Sequence, residues 1–327
     1  TDDGAVRFKI PTGQTSWEDM VQGKITVEHK QLEDFVLLRS DGTPTYHLGV
    51  VVDDTAMGIT HVIRGDDHIN NTPKQILLHQ ALGNLVPHFA HIPLIYGEDG
   101  SKLSKRHGAV SVQEFRELGT LPAAMNHYMM MLSWLGGEDT AMRTLQQASE
   151  AFNLADVSKN PAQFDLAKLT HVNSLYLRDM DNISLLPYLE PYFAQHNWEV
   201  GDKETARLIT GLQPLKERAS TLKELAEGAS AYVRPLPFAY SPEEQAQLAE
   251  AKSHLEALHT EFTDAAWDAE LLQQTIKDYV KDNDLKFPIV GKPLRLALIG
   301  SAQGPGLNDI FKALGQTETL HRLKLAL

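Results

Sequence analysis

Cysteine is absent from all 327 residues. Disulfides, thiolate zinc sites, iron–sulfur clusters and a cysteine nucleophile are therefore excluded together, and no protein-bound zinc is expected. Positive charge is also in short supply. Thirty Lys+Arg stand against 43 Asp+Glu, a formal net charge of −13. That balance excludes electrostatic wrapping of a polyanion over the whole surface, but leaves room for a local basic patch. Residues 281–327 supply one, with seven cations (Lys281, Lys286, Lys292, Arg295, Lys312, Arg322, Lys324) against four acids (Asp282, Asp284, Asp309, Glu318). Long apolar runs are missing too. The longest uncharged stretch, Leu118 to Gly137, contains Pro122, Asn126 and His127 and ends in two glycines. A membrane span needs about 20 predominantly apolar residues. The stretch reads instead as a buried helix, and no membrane partner is expected. Thr1-Asp2-Asp3-Gly4 has neither the basic nor the apolar region of a signal peptide, and there is no initiating Met. The chain is expected to be processed, tagged or a fragment.

What is present is ordinary for a globular chain: 42% hydrophobic and 22% charged residues. At about 150 residues per domain, the length suggests roughly two domains. The first 130 residues read as α/β. Phe35 to Arg39 reads as a strand, Ser40-Asp41-Gly42 as a hairpin turn, and Tyr46 to Val52 as a second strand. Ile59 to Ile63 is a third. Asn71-Thr72-Pro73 then offers an N-cap with Pro in the first turn of a helix that stops at Gly83. Ile92 to Tyr96 comes next as a further strand, so strand, helix and strand form a βαβ unit with a parallel sheet. Beyond residue 110 the pattern becomes helical: Leu121 to Leu135, Ala141 to Phe152, Ala206 to Leu225, a helix opened by the capping box Ser241-Pro242-Glu243-Glu244 and running to about Leu258, and Trp267 to Val280. Breaks fall near Asn160-Pro161, Gly201-Asp202 and Pro235-Leu236-Pro237.

The most informative segment is Gly100 to Gly108, a glycine-bounded loop after an apolar strand, carrying Lys102, Lys105 and Arg106. Loops at the carboxyl ends of parallel strands are where α/β sheets bind ligands. Two lysines on such a loop suit charge developing on a transferring phosphate, although composition alone favours a solvated basic loop. Arg64, taken alone, reads as a surface salt bridge, and Tyr46 as a core aromatic. Asp66, Asp67 and His68 offer only oxygen and imidazole ligands, so a metal there is the weaker reading. His88 and His91 read as structural. Gly300 to Gly306 has glycines but no Lys-Ser/Thr and no βαβ context, and is rejected as a phosphate loop.

Lys102-Leu103-Ser104-Lys105-Arg106 resembles the K-M-S-K-S signature of class I aminoacyl-tRNA synthetases. Asp34 to Tyr46, Val51-Val52-Asp53-Asp54, His61 to His68 and Asn71-Thr72-Pro73 resemble bacterial glutamyl-tRNA synthetases, in that family's order and spacing. The family's other signature, H-x-G-H, does not occur, and neither His68-Ile69-Asn70-Asn71 nor His91-Ile92-Pro93-Leu94 fits it. The resemblance therefore implies that roughly the first third of the family's sequence is missing.

The implied fold is α/β plus all-α: the second half of a class I synthetase Rossmann-like domain, then a helical stem-contact region and a helical anticodon-binding domain. The implied division is 1–46 (end of the acceptor-binding insertion), 47–110 (second half of the catalytic domain), 111–181 (stem contact) and 182–327 (anticodon binding). The resemblance implies a glutamate–tRNA ligase working with ATP and Mg2+ as its substrate complex. Its partners would be glutamate and tRNA(Glu), and a cytoplasmic monomer is expected. Lys102 and Lys105 take the catalytic role, with Leu103, Ser104 and Arg106 completing the ATP loop. Arg64 and Tyr46 would hold glutamate, the guanidinium being apt for a bidentate carboxylate contact. Val50 falls where some relatives carry a polar contact, so only packing is expected of it. Asp66, Asp67 and His68 would lie near the tRNA 3′ end, and Arg218, Arg295 and Arg322 are candidates for anticodon contact. The alternative is a non-catalytic, truncated tRNA-binding paralogue.

Overall fold

The computed structural model describes residues 4–97, 99–103, 111–134 and 144–327. It divides into two compact units, Thr1–Val110 with Asn126–Leu166, and Ser111–Met125 with Ala167–Leu327.

In the first unit, β1 (Val6–Phe8) pairs antiparallel with β4 (Phe35–Leu38), and β2 (Gln14–Asp19) with β3 (Gly23–Glu28). Asp19 makes the β2–β3 turn, its Oδ1 accepting from the backbone N–H of Val21 (3.1 Å) and Gln22 (3.0 Å). After β4 the Asp-Gly turn forms as expected. Gly42 has φ +81° and Asp41 Oδ1 accepts from Thr43 N–H at 2.8 Å.

The second arm of that hairpin does not continue. Pro44 makes a single bridge to Leu38, and Tyr46–Ala56 is a helix, α1. The expected strand over Tyr46 to Val52 is thus corrected. Val50, Val51 and Val52 favour a strand locally, but the helix penalty of such residues is at most about 0.7 kcal/mol each. Burying Val51 completely as α1 packs beside α2 (Thr72–Ala81) outweighs it.

The βαβ unit is present. β5 (His61–Gly65) pairs in parallel with β6 (His88–Ile92), His61 opposite His88 and Gly65 opposite Ile92, with α2 between them. The expected strand over Ile92 to Tyr96 is thus corrected: the paired strand lies at His88–Ile92, immediately before it. Pro93 has no N–H to offer a ladder, and the chain resumes as β7 (Ile95–Tyr96), which pairs in parallel with β8 (Ala162–Gln163). The β2–β3 turn docks on β6. Met20 N–H donates to the Phe89 carbonyl at 2.9 Å, and Val21, Ala90 and Val157 form a small buried cluster there.

Helices dominate the rest of the chain: α3 (Val112–Glu117), α4 (Pro122–Ser133), α5 (Leu145–Ala151), α6 (Leu166–Asp179), α7 (Asn182–Ala194) and α8 (Asp202–Lys216). Leu135 and Ala141 lie outside the described residues. The helix expected from Ala206 to Leu225 is two. Thr221 Oγ1 accepts from Glu224 N–H at 3.1 Å and starts α9 (Leu222–Ala229), because a capping hydroxyl competes with helix continuation. Asn173 ties the surrounding backbone together. It accepts from Leu121 N–H (2.8 Å) and donates to the carbonyls of Gly119 (3.2 Å) and Ser220 (2.7 Å).

The Ser241 capping box is formed and opens α10 (Pro242–Glu250). That helix stops at Ala251, where α11 (Lys252–Asp264) starts, so the single helix to Leu258 is also two. Then come α12 (Ala269–Asp282), α13 (Phe287–Ile299) and α14 (Leu307–Ala326). Leu255, Phe262, Leu272, Leu294 and Phe311 fill the core between these last helices.

Candidate amino-acid and nucleotide site

Arg64 sits one residue from the end of β5, and Gly65 turns the chain into a 3-10 segment, Asp66–Asn71. The backbone there is ordinary, φ −63°, and a side chain at Gly65 would require the exposed Asp67 carboxylate to move. A Cβ on Gly65 would lie 2.6 Å from Asp67 Oδ1. Asn71 does not cap α2 with its side chain. Its amide reaches His68 Nδ1 at 3.0 Å instead.

The Arg64 guanidinium is half-buried and held along one edge. Nε donates to His91 Nε2 at 3.2 Å, and Nη2 donates to Thr72 Oγ1 at 2.8 Å, while the Phe89 ring lies 5.5 Å away. Among the described residues no carboxylate comes within ion-pair distance, so the surface salt-bridge reading is not what forms. Burial pushes the Arg64 pKa down, offset by the Tyr46 hydroxyl and by the more distant charges of Asp54 and Asp67. A half-buried guanidinium with no ion-pair partner among the described residues can take an anion.

Tyr46 opens α1, so it is not on the sheet with Arg64. It is 51% exposed, so it is not a core residue either. The helix nevertheless brings it to Arg64 and places its hydroxyl 3.4 Å from His68 Nδ1. Val50 lies on the same helix, half-buried.

His91 and Asp19 were not singled out as site residues by the sequence. His91 is wholly buried in β6, with Nδ1 2.5 Å from Asp19 Oδ2. The pair is separated by 72 residues, and no local pattern links them.

Lys102 comes after a tight turn. Gly97 N–H donates to the Ser101 carbonyl at 2.8 Å, Gly100 has φ +73°, and Lys102 bridges back to Tyr96. Its side chain is exposed, and Leu103 is half-buried. Ser104, Lys105 and Arg106 lie outside the described residues. Asp66 and His68 are half-buried and Asp67 is exposed. No group of three metal-ligating side chains gathers among the described residues.

In the second unit the three arginines differ. Arg218 is exposed, donating to the Gly304 carbonyl at 3.1 Å. Arg295 is half-buried and holds the Ala302 (3.1 Å) and Pro305 (3.2 Å) carbonyls of the glycine-rich turn. Arg322 is only 1% exposed; its Nε donates to Glu318 and its Nη1 to the carbonyls of Ala231 and Leu298, while the buried Nη2 has no hydrogen-bond partner. The expectation that Arg322 contacts RNA is corrected. Its guanidinium is spent inside the helix bundle.

Residues 2–171 match the family described as tRNA synthetases class I (E and Q), catalytic domain, and residues 184–327 match the anticodon binding domain family. A glutamate–tRNA ligase of Nitrosomonas europaea is 44% identical over 323 residues, covering 98% of this chain and 68% of that protein. The chain belongs to the glutamate–tRNA ligase family. Glutamate–tRNA ligase 1 of Beijerinckia indica is likewise 44% identical, over 98% of this chain and 69% of the relative. Among solved structures, a glutamate tRNA ligase from Elizabethkingia meningosepticum in complex with its amino acid aligns with a TM-score of 0.80 at 29% identity. It covers 98% of this chain and 68% of that one. A class I catalytic region followed by a helical anticodon-binding domain is thus the architecture of this member of the glutamate–tRNA ligase family. No described helix is long and apolar enough to cross a membrane.

Proposed function

We propose that this chain supplies the amino-acid pocket, the lysine loop and the RNA-reading helices of a cytoplasmic, monomeric enzyme that charges tRNA(Glu). The observation that carries the reading is Arg64, a half-buried guanidinium with no carboxylate partner among the described residues, beside the Tyr46 hydroxyl. The glutamate side-chain carboxylate is the anion it would take, because the planar fork matches a carboxylate. The α-carboxylate then attacks the α-phosphorus of Mg2+-bound ATP. An acyl adenylate forms and pyrophosphate leaves. A terminal ribose hydroxyl of the tRNA next attacks the acyl carbon and releases AMP. Lys102 and Lys105, with Leu103, Ser104 and Arg106, would bear on the phosphates, where preorganised positive charge lowers the barrier. Asp66, Asp67 and His68 would face the tRNA 3′ end, and Arg218 and Arg295 the anticodon side. The four-part division at 46, 110 and 181 belongs to the same reading.

ATP–pyrophosphate exchange tests it. The 327-residue chain alone should not exchange with glutamate. Joined to the amino-terminal region of the Nitrosomonas europaea relative, it should, at about 1 per second or faster. Lys105→Ala in the joined protein should lower the rate about 100-fold or more while leaving tRNA affinity nearly unchanged. A joined, folded protein that binds tRNA but exchanges nothing would favour the second reading, a non-catalytic tRNA-binding protein.

A further inference from the structure

We propose that His91, locked by Asp19 as the neutral tautomer protonated on Nδ1, is a positioning residue that sets the orientation of Arg64. The proposal rests on the reading of Arg64 as the glutamate receptor. The proton assignment comes from the donors. Arg64 Nε–H can only donate, so His91 Nε2, 3.2 Å away, must accept and carry no proton. The ring proton is then on Nδ1, facing Asp19 Oδ2 at 2.5 Å. Thr72 Oγ1, which accepts from Arg64 Nη2 at 2.8 Å, lies 3.0 Å from the same His91 Nε2 and closes a three-membered cluster on one side of the guanidinium.

Asp19 is itself held. Its Oδ1 takes the N–H groups of Val21, Gln22 and His91, the last at 3.0 Å, and Gln22 Nε2 donates to the His91 carbonyl at 3.0 Å. Burial works against the carboxylate, but these hydrogen bonds win and keep its pKa below the ordinary value. The groups facing the imidazole are Asp19 from β2, Arg64 from β5, His68 from the adjoining turn, Thr72 from α2 and the Phe89 ring, stacked at 6.2 Å. Burial, and then the Arg64 and His68 charges, disfavour a second proton on His91 more than Asp19 favours it. A protonated ring would set an N–H against the Arg64 N–H.

The consequence is geometric. With Nε donating to His91, and Nη2 donating to Thr72 and, at 3.5 Å, to the His68 carbonyl, the fork cannot rotate, and the substrate carboxylate would meet it on the side that the Tyr46 hydroxyl also faces. His91 and Asp19 would thus tune the affinity for glutamate without touching it.

The test uses the 327-residue chain labelled with nitrogen-15. Two-bond proton–nitrogen correlations should show His91 as the Nδ1–H tautomer through about pH 6 to 8, with a through-hydrogen-bond coupling between its Nε2 and Arg64 Nε. Glutamate is then titrated while the Arg64 Nε–H resonance is tracked. His91→Leu removes the acceptor and should weaken glutamate about tenfold or more, the worth of one hydrogen bond to a charged group. His91→Gln, which restores an acceptor near the Nε2 position, should recover most of that loss. A merely structural His91 would show no such rescue. An Nε2-protonated ring, or Leu and Gln variants that bind glutamate equally, overturns the proposal while leaving the pocket intact. A wild-type chain whose Arg64 resonance ignores glutamate overturns the pocket reading, and the positioning role with it.

Discussion

Arg322→Met is the most exacting test of how the helical unit is held together. Arg322 donates from Nε to Glu318 (2.7 Å) and from Nη1 to the carbonyls of Ala231 and Leu298 (both 2.8 Å). It also stacks 5.4 Å from the Phe238 ring. Methionine fills the space but donates nothing. Two enclosed carbonyls lose their donor, at about 1–3 kcal/mol each. Glu318 keeps a second cation, since Arg207 Nη2 lies 2.7 Å from its other oxygen, so no carboxylate charge is stranded. The expected loss is about 2–6 kcal/mol, the cost of leaving the two carbonyls without a donor. Urea unfolding monitored by helical circular dichroism reads it as a midpoint lower by about 1–2 M at an unchanged slope. Arg322→Lys should recover little, because an ammonium cannot span Glu318 and two carbonyls together. RNA affinity, measured on the folded fraction, should not change. A loss under about 1 kcal/mol, together with weakened RNA binding, would refute the assignment of Arg322 to the interior.

The packing sets three further outcomes. Gly211→Ala should destabilise by about 1–3 kcal/mol, against the usual helix preference for alanine, because its Cβ would lie 2.4 Å from the Tyr232 ring. A stabilised variant in thermal melts would contradict this. Ser241→Ala should cost about 1 kcal/mol through loss of the capping box, and an unchanged melting temperature would contradict it. Stability should also fall as the pH drops below 6.5, the ordinary histidine value. Burial holds His47, His79 and His91 below that value, so the unfolded chain binds more protons than the folded one across that window. A urea midpoint equal at about pH 7.5 and pH 5 would refute it.

The order strand, helix, strand was legible because β5 overlaps an apolar run and α2 has a proline in its first turn and a glycine stop. The second strand was misplaced onto Ile92 to Tyr96, since β6 itself, His88–Ile92, is interrupted by two histidines. Capping boxes, being local, were legible, and Ser241 opens its helix as read. Tyr46 to Val52 was misread because three valines in a row signal a strand, whereas the helix is decided by burial of Val51 against elements brought in later. The site divides as well. Arg64 could be found only through the family resemblance, since taken alone it reads as a surface salt bridge. Its supports could not, because Asp19 and His91 meet across 72 residues and only the docking of the β2–β3 turn on β6 brings them together. Arginines carry no sign of their own burial. Arg218 and Arg322 look alike in the sequence, yet one is exposed and the other enclosed.

The most direct measurement of the central claim is the selectivity between glutamate and glutamine, two side chains of nearly one shape that differ in charge. The quantity is kcat/KM for each amino acid, in the chain joined to the amino-terminal region of its Nitrosomonas europaea relative, with wild type set against Arg64→Gln. If the Arg64 guanidinium pairs with the substrate's side-chain carboxylate, the glutamate KM rises steeply in the variant and the preference for glutamate over glutamine narrows, since shape alone separates such substrates poorly. Arg64→Lys recovers only part of it. A glutamate-to-glutamine ratio unchanged by Arg64→Gln would contradict the account and remove Arg64 from the pocket.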